Sequence, residues 1–78
     1  MARLRLFGPA REAAGVSDLT LPGADVAAVV AAAEARFGSE FTRVLRVSRV
    51  WLNGEDVERS AAVSEDDEVA VIPPVSGG

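Results

Sequence analysis

The sequence predicts a two-layer α+β domain in which one amphipathic helix lies across one face of a small β-sheet. Three observations predict it. Val26, Val29, Val30, Ala33 and Phe37 recur at spacings of three and four, which is a single apolar stripe of helical period. Leu4 and Leu6, Leu19 and Leu21, Val50 and Leu52, and Val69 and Val71 recur at period two, which turns one side of each segment inward. The elements run strand, strand, helix, strand, short strand, strand. A helix with one apolar stripe covers one sheet face and leaves the other to solvent or a partner.

Residues 2–7 form the first strand, with Leu4 and Leu6 on one side and Arg3, Arg5 and Phe7 on the other. Gly8-Pro9 ends it. Residues 11–14 suit one helical turn closed by Gly15. The second strand pairs Leu19 and Leu21 against Asp18 and Thr20, which suggests a hairpin, and Pro22-Gly23 stops it. Asp25 is a good N-cap for the main helix. Alanines at 27, 28, 31, 32 and 35 favour that helix, and Gly38 suits its C′ position. Residues 40–47 place Phe41, Val44 and Leu45 at helical spacing, consistent with a short second helix or an ordered loop. Residues 49–52 form the third strand, with Trp51 outward, and Asn53-Gly54 marks a tight turn. Val57 belongs to a short fourth strand or bridge. Residues 61–67 are polar and turn-like, and residues 68–72 form the last strand, with Ala70 and Ile72 outward. The division is a folded domain over residues 1–72 and an extended tail over residues 73–78.

Composition excludes several functions. The chain has 78 residues, 49% of them hydrophobic, enough for one small domain and too apolar for disorder. It has no cysteine, histidine, lysine or tyrosine, and its eight basic residues are all arginine. A base working near neutral pH would have to be a displaced carboxylate, and no His/Cys metal site can form. The acidic run Glu65-Asp66-Asp67-Glu68 lacks the spacing of a calcium loop. Chemistry performed by this chain alone is not expected, and neither is a bound metal or cofactor. The net charge of −4, without a basic cluster, argues against nucleic acid and favours partners with positive surfaces. No run approaches a membrane span, and no secretory leader is evident, which with the missing cysteine suits the cytoplasm.

The last six residues, Pro73-Pro74-Val75-Ser76-Gly77-Gly78, read as a chemical handle. Two prolines hold a chain extended. Six residues at roughly 3.3 Å each reach about 20 Å from the fold. Glycine has no Cβ, so Gly77 and Gly78 enter a channel too narrow for other residues. Ser76 is a spacer, since no base stands ready to activate it. An α-carboxylate on Gly78 has a pKa near 3.5 and is a poor electrophile until another protein activates it. The chain has no P-loop with which to do so itself, and no amine or thiol side chain to attack an activated end.

Two stretches carry a resemblance to a known family. Leu6-Phe7, Arg11-Glu12 and Gly15 resemble the strand-to-turn segment, and Asp67-Glu68-Val69 followed by the tail resembles the ending, of the ubiquitin-like sulfur carriers that serve as small subunits of molybdopterin synthase. Asn53 stands where that family often has asparagine, Ile72 where it often has an aromatic residue, and Asp66 where glycine is common. The resemblance implies a β-grasp fold: a mixed sheet of four to five strands packed on one main helix, with the first and last strands parallel and adjacent. On the open face Phe7 would then neighbour Ile72, with Trp51 one strand further, and Arg3, Arg5 and Glu68 beside them.

The resemblance also implies the function. An adenylating, ubiquitin-activating-like enzyme using ATP and magnesium would charge the Gly78 carboxylate. A sulfur-donating enzyme would convert it to a thiocarboxylate. The tail would then enter the large subunit of molybdopterin synthase, which passes the sulfur to a pterin precursor. Phe7, Trp51 and Ile72 would dock the partners, Pro73, Pro74, Val75 and Ser76 would line the insertion, and Arg11 would bond a partner acid or carbonyl unless it only braces the turn before Gly15. Alternative readings are a sulfur carrier for thiamine or cysteine synthesis, a ubiquitin-like protein modifier, and a noncovalent module that uses the sheet face alone.

Overall fold

A computed structural model describes residues 1–74 of the chain. Eight elements follow in order: β1 (Ala2–Leu6), α1 (Gly8–Ala14), β2 (Asp18–Leu21), α2 (Val26–Phe37), α3 (Ser39–Arg46), β3 (Arg49–Leu52), β4 (Glu55–Asp56) and β5 (Glu68–Ile72). The strands form one mixed sheet in the order β2-β1-β5-β3-β4. The first and last strands are parallel neighbours at its centre, with Leu4 beside Val69 and Leu6 beside Val71. The pairs β1–β2, β3–β5 and β3–β4 are antiparallel. This is the β-grasp arrangement, α+β, with five strands.

Alternation decides which face is covered. Ala2, Leu4, Leu6, Leu21, Val50, Val69 and Val71 point inward and are buried. They meet Val26, Val29, Val30 and Ala33 of α2, the stripe expected from the sequence, while Phe37 is half-buried at its end. Asp25 caps α2, its carboxylate accepting from Ala28 N–H at 2.8 Å. Asn53 and Gly54 both adopt positive φ, 50° and 83°, as a tight turn between β3 and β4 requires.

Several expectations need correction. The strand β1 ends at Leu6, and Phe7 is the N-cap of α1 rather than a strand residue. Gly8-Pro9 both ends the strand and begins a helix: Pro9 sits in the first turn, where its missing N–H costs nothing. Of the two readings offered for residues 40–47, the short second helix holds: α3 spans Ser39–Arg46 with Val47 as its C-cap, and Phe41 and Leu45 are buried one turn apart. The layer over the sheet is therefore the main helix α2 joined by two shorter ones, with α3 packed between α2 and α1. Gly38 ends α2 and also caps α3, in an extended positive-φ conformation rather than the left-handed helical one. Val57 lies just beyond β4, half-buried beside the core. The segment 61–67 is less polar in effect than its composition implied, since Val63 joins the core and Ala62 bridges to Asp25.

Candidate functional site

The site is the end of the sheet where β5 gives way to the tail, together with the open face beside it. Side chains alternate outward along the central strands, and the register sets the rows. Arg5 stands beside Ala70, which stands beside Trp51, which stands beside Asp56. Arg3 stands beside Glu68, and Ile72 beside Arg49. The direct cross-strand neighbour of Trp51 is thus Ala70, and Arg49 occupies the place next to Ile72.

Phe7 is held at the edge of this face. Its N–H donates to Val71 O at 3.1 Å, which ties the start of α1 to the last strand. The residue is 39% exposed, and the Arg5 guanidinium lies over its ring, 5.5 Å from the centroid. Arg5 also pairs with Glu68 at 3.8 Å. Trp51 and Ile72 are half-buried, so of the three apolar groups Phe7 is the most exposed. Trp51 Nε1 is, among the described residues, the one buried side-chain polar atom without a hydrogen-bond partner.

The charge on this face departs from the whole-chain balance. Arg3, Arg5 and Arg49 lie on it, with Glu68 paired to Arg5 and Asp56 bonded to Arg49 at 3.1 Å. A net charge of −4 led to the expectation of positively charged partners, yet the outward rows at the tail end are not acidic. Glu65 and Asp66 stand in the loop that leads into the start of β5, far along the strand from the tail. Arg11 is exposed on α1. Its side chain makes no hydrogen bond or ion pair among the described residues. Its backbone carbonyl accepts from Gly15 N–H at 2.8 Å to close the turn, with no part played by the side chain.

The far end of β5 is anchored by contacts that sequence reading missed. Asn53 Nδ2 donates to Asp67 Oδ1 at 3.0 Å, while Asn53 Oδ1 accepts from Glu68 N–H at 2.9 Å. Ser64 donates to Asp67 Oδ2 through its backbone N–H at 2.8 Å and its hydroxyl at 3.1 Å. The Asn53 bond, followed by those from Ser64, holds the Asp67 carboxyl below its ordinary range, because each bond favours the charged form. This clamp fixes the start of the strand whose other end carries the tail. An asparagine at a turn followed by a Ser-x-x-Asp pattern was the available signal.

Pro73 and Pro74 follow Ile72 directly and are exposed. The expectations for Val75, Ser76, Gly77 and Gly78 lie outside the described residues.

Comparison with known proteins agrees with this geometry. The family model described as the ThiS family matches residues 4–78. The molybdopterin synthase sulfur carrier subunit of Arabidopsis thaliana is 38% identical over 79 aligned residues, covering 97% of this chain and 81% of that one. The corresponding subunit of Chlamydomonas reinhardtii is 34% identical and covers 92% of each. Among solved structures, SAMP1 of Haloferax volcanii, a small archaeal modifier protein, superposes with a TM-score of 0.79 at 29% identity, over 99% of this chain and 98% of that one.

Proposed function

This chain belongs to the ThiS family, and from that premise we propose that it is the sulfur carrier subunit of a molybdopterin synthase, with the Gly78 carboxylate as its working group. The observation that carries the reading is the 38% identity to the Arabidopsis thaliana sulfur carrier subunit across 97% of the chain. A sulfur carrier needs a small rigid body, a thin terminus and partners that supply the chemistry.

The reaction follows from the properties of a carboxylate. Its carbon is unreactive while anionic, so an adenylating enzyme must act first. The Gly78 oxygen attacks the α-phosphorus of ATP, held with magnesium on that enzyme, and pyrophosphate leaves. The resulting mixed anhydride has AMP as a good leaving group. A sulfide-level sulfur nucleophile presented by a sulfur-donating enzyme adds to the acyl carbon and expels AMP, leaving a thiocarboxylate. Gly77 and Gly78 pass into the large synthase subunit, where the sulfur moves to precursor Z, the cyclic pyranopterin monophosphate, and water restores the carboxylate. The chain itself supplies reach through residues 73–78 and a docking face around Phe7, Trp51 and Ile72, with Arg11 free to meet a partner acceptor. No helix among the described residues is long and apolar enough to cross a membrane, and the proposal places the chain in the cytoplasm with its activating enzyme.

The test is intact-mass analysis after coexpression with the activating and sulfur-donating enzymes. A sulfur-for-oxygen gain on Gly78 is expected, and reconstitution with the large subunit and precursor then yields dithiolene. Activation without any sulfur gain overturns the reading. The likeness to a small archaeal modifier protein favours one alternative, attachment to target lysines. That reading predicts conjugates of higher mass where the carrier reading predicts a thiocarboxylate.

A further inference from the structure

Resting on the carrier reading, we propose that Gly8 is a positioning residue for sulfur transfer: it forms a notch that receives the Pro73 ring and sets the direction in which the tail leaves the sheet. A Cβ built on Gly8 would stand 2.9 Å from Pro73 Cγ and 3.8 Å from Pro73 Cδ. Carbon atoms in contact settle at roughly 3.5–4.0 Å, so even alanine would drive the ring outward by about 0.6 Å or more. A proline ring is closed on its own backbone nitrogen and cannot swing aside as a long side chain can. The other side of the contact is also fixed, because Phe7 N–H is bonded to Val71 O, two residues before Pro73. Ring pucker can move Cγ by part of that distance, and the remainder falls on the chain direction at Pro73.

Among the described residues two glycines make such a close approach, Gly23 against Val29 of α2 and Gly8 against the tail. Gly15, Gly38 and Gly54 also have positive φ, but an added Cβ at any of them would meet nothing within 4 Å. Their role is conformational alone. Gly8 combines a φ of +55° with a close approach to the first residue of the tail. The notch thereby gives the tail and Phe7 a common mount. A partner that takes the tail into a channel while resting on the sheet face needs those two features in a fixed relation.

The experiment compares the native chain with Gly8→Ala, Pro73→Ala and the double variant, each loaded with sulfur by the same enzymes. Steady-state transfer to precursor in the large subunit, with the loaded chain varied in concentration, gives kcat and KM, and thermal melting gives stability. Misplacement of a reacting group by about 1 Å costs up to about a hundredfold, so Gly8→Ala is expected to lower kcat/KM roughly ten- to a hundredfold, mainly through kcat. Pro73→Ala removes the opposing ring carbons, so adding it to Gly8→Ala should recover about fivefold or more. Left-handed strain at position 8 is the same in both alanine proteins and cancels from that comparison. Gly8→Asn, which tolerates the φ but carries the same Cβ, should transfer as poorly as Gly8→Ala. Native-like transfer by Gly8→Ala, losses that simply multiply in the double variant, or a deficit that tracks melting temperature would each overturn the inference. Failure of the native chain to acquire sulfur would refute the carrier reading, and this inference with it. Failure of the rescue alone leaves the carrier reading standing.

Discussion

Truncating Phe41 to alanine separates what holds the fold from what performs transfer. Phe41 is 0% exposed, on α3, with its ring centroid 5.2 Å from that of Phe37 at a tilt of 52°. Removing a fully buried phenylalanine costs about 3–5 kcal/mol, of which a tilted aromatic pair accounts for about 0.5–1.5. A domain of this length has a total stability of about 4–12 kcal/mol, so the change removes a large share of it. At about 4–8 °C per kcal/mol for small domains, the melting temperature should fall by about 12–40 °C. Thermal melts followed by circular dichroism measure this directly. Val47→Ala, just past the end of the same helix at a residue 65% exposed, should change little. In the cold, where the variant remains folded, sulfur transfer per folded molecule should match the native chain. A fall of less than about 5 °C would refute the claim that α3 is integral to the core.

Two further outcomes follow from the site. Phe7→Asp should abolish docking to the large subunit in calorimetric titration while the far-UV spectrum stays native, since the ring is partly exposed and caps α1 through its backbone only; native affinity would discard the docking face. The folded pKa of Asp67 lies below its ordinary value of 3.8, so the contribution of the clamp is fully present above that value and is lost as pH falls through the folded pKa. Moving from about pH 5 to about pH 3 should lower the melting temperature of the native chain more than that of Asp67→Asn, and parallel falls would show the clamp to be inert.

How much was legible depended on whether the signal was local. The α2 stripe and the alternation in β3 and β5 follow from periodicity within a few residues, and each element lies where that pattern places it. Asn53-Gly54 carried its backbone requirement in its own chemistry. The misses involve contacts between distant positions. Phe7 alternates like a strand residue, but the helix beginning at Gly8 takes it out of β1. Val63 sits in a polar stretch and is buried because the segment bridges to Asp25. The Asn53–Asp67 clamp spans 14 residues and the Gly8–Pro73 contact nearly the whole chain, so neither has a sequence period to reveal it. The outward rows were legible once the central strands were taken as parallel, with Trp51 one strand beyond Ile72; the register, which no local pattern carries, adds that the direct neighbour of Trp51 is Ala70.

The most direct trial of the carrier role is the rate at which a chain lacking Gly78 supports sulfur insertion into precursor, measured with the activating enzyme, the sulfur donor and the large subunit all present. Complete loss of dithiolene formation, with melting temperature and far-UV spectrum unchanged, is the predicted result. Insertion at the native rate would contradict the assignment of the working group to that residue.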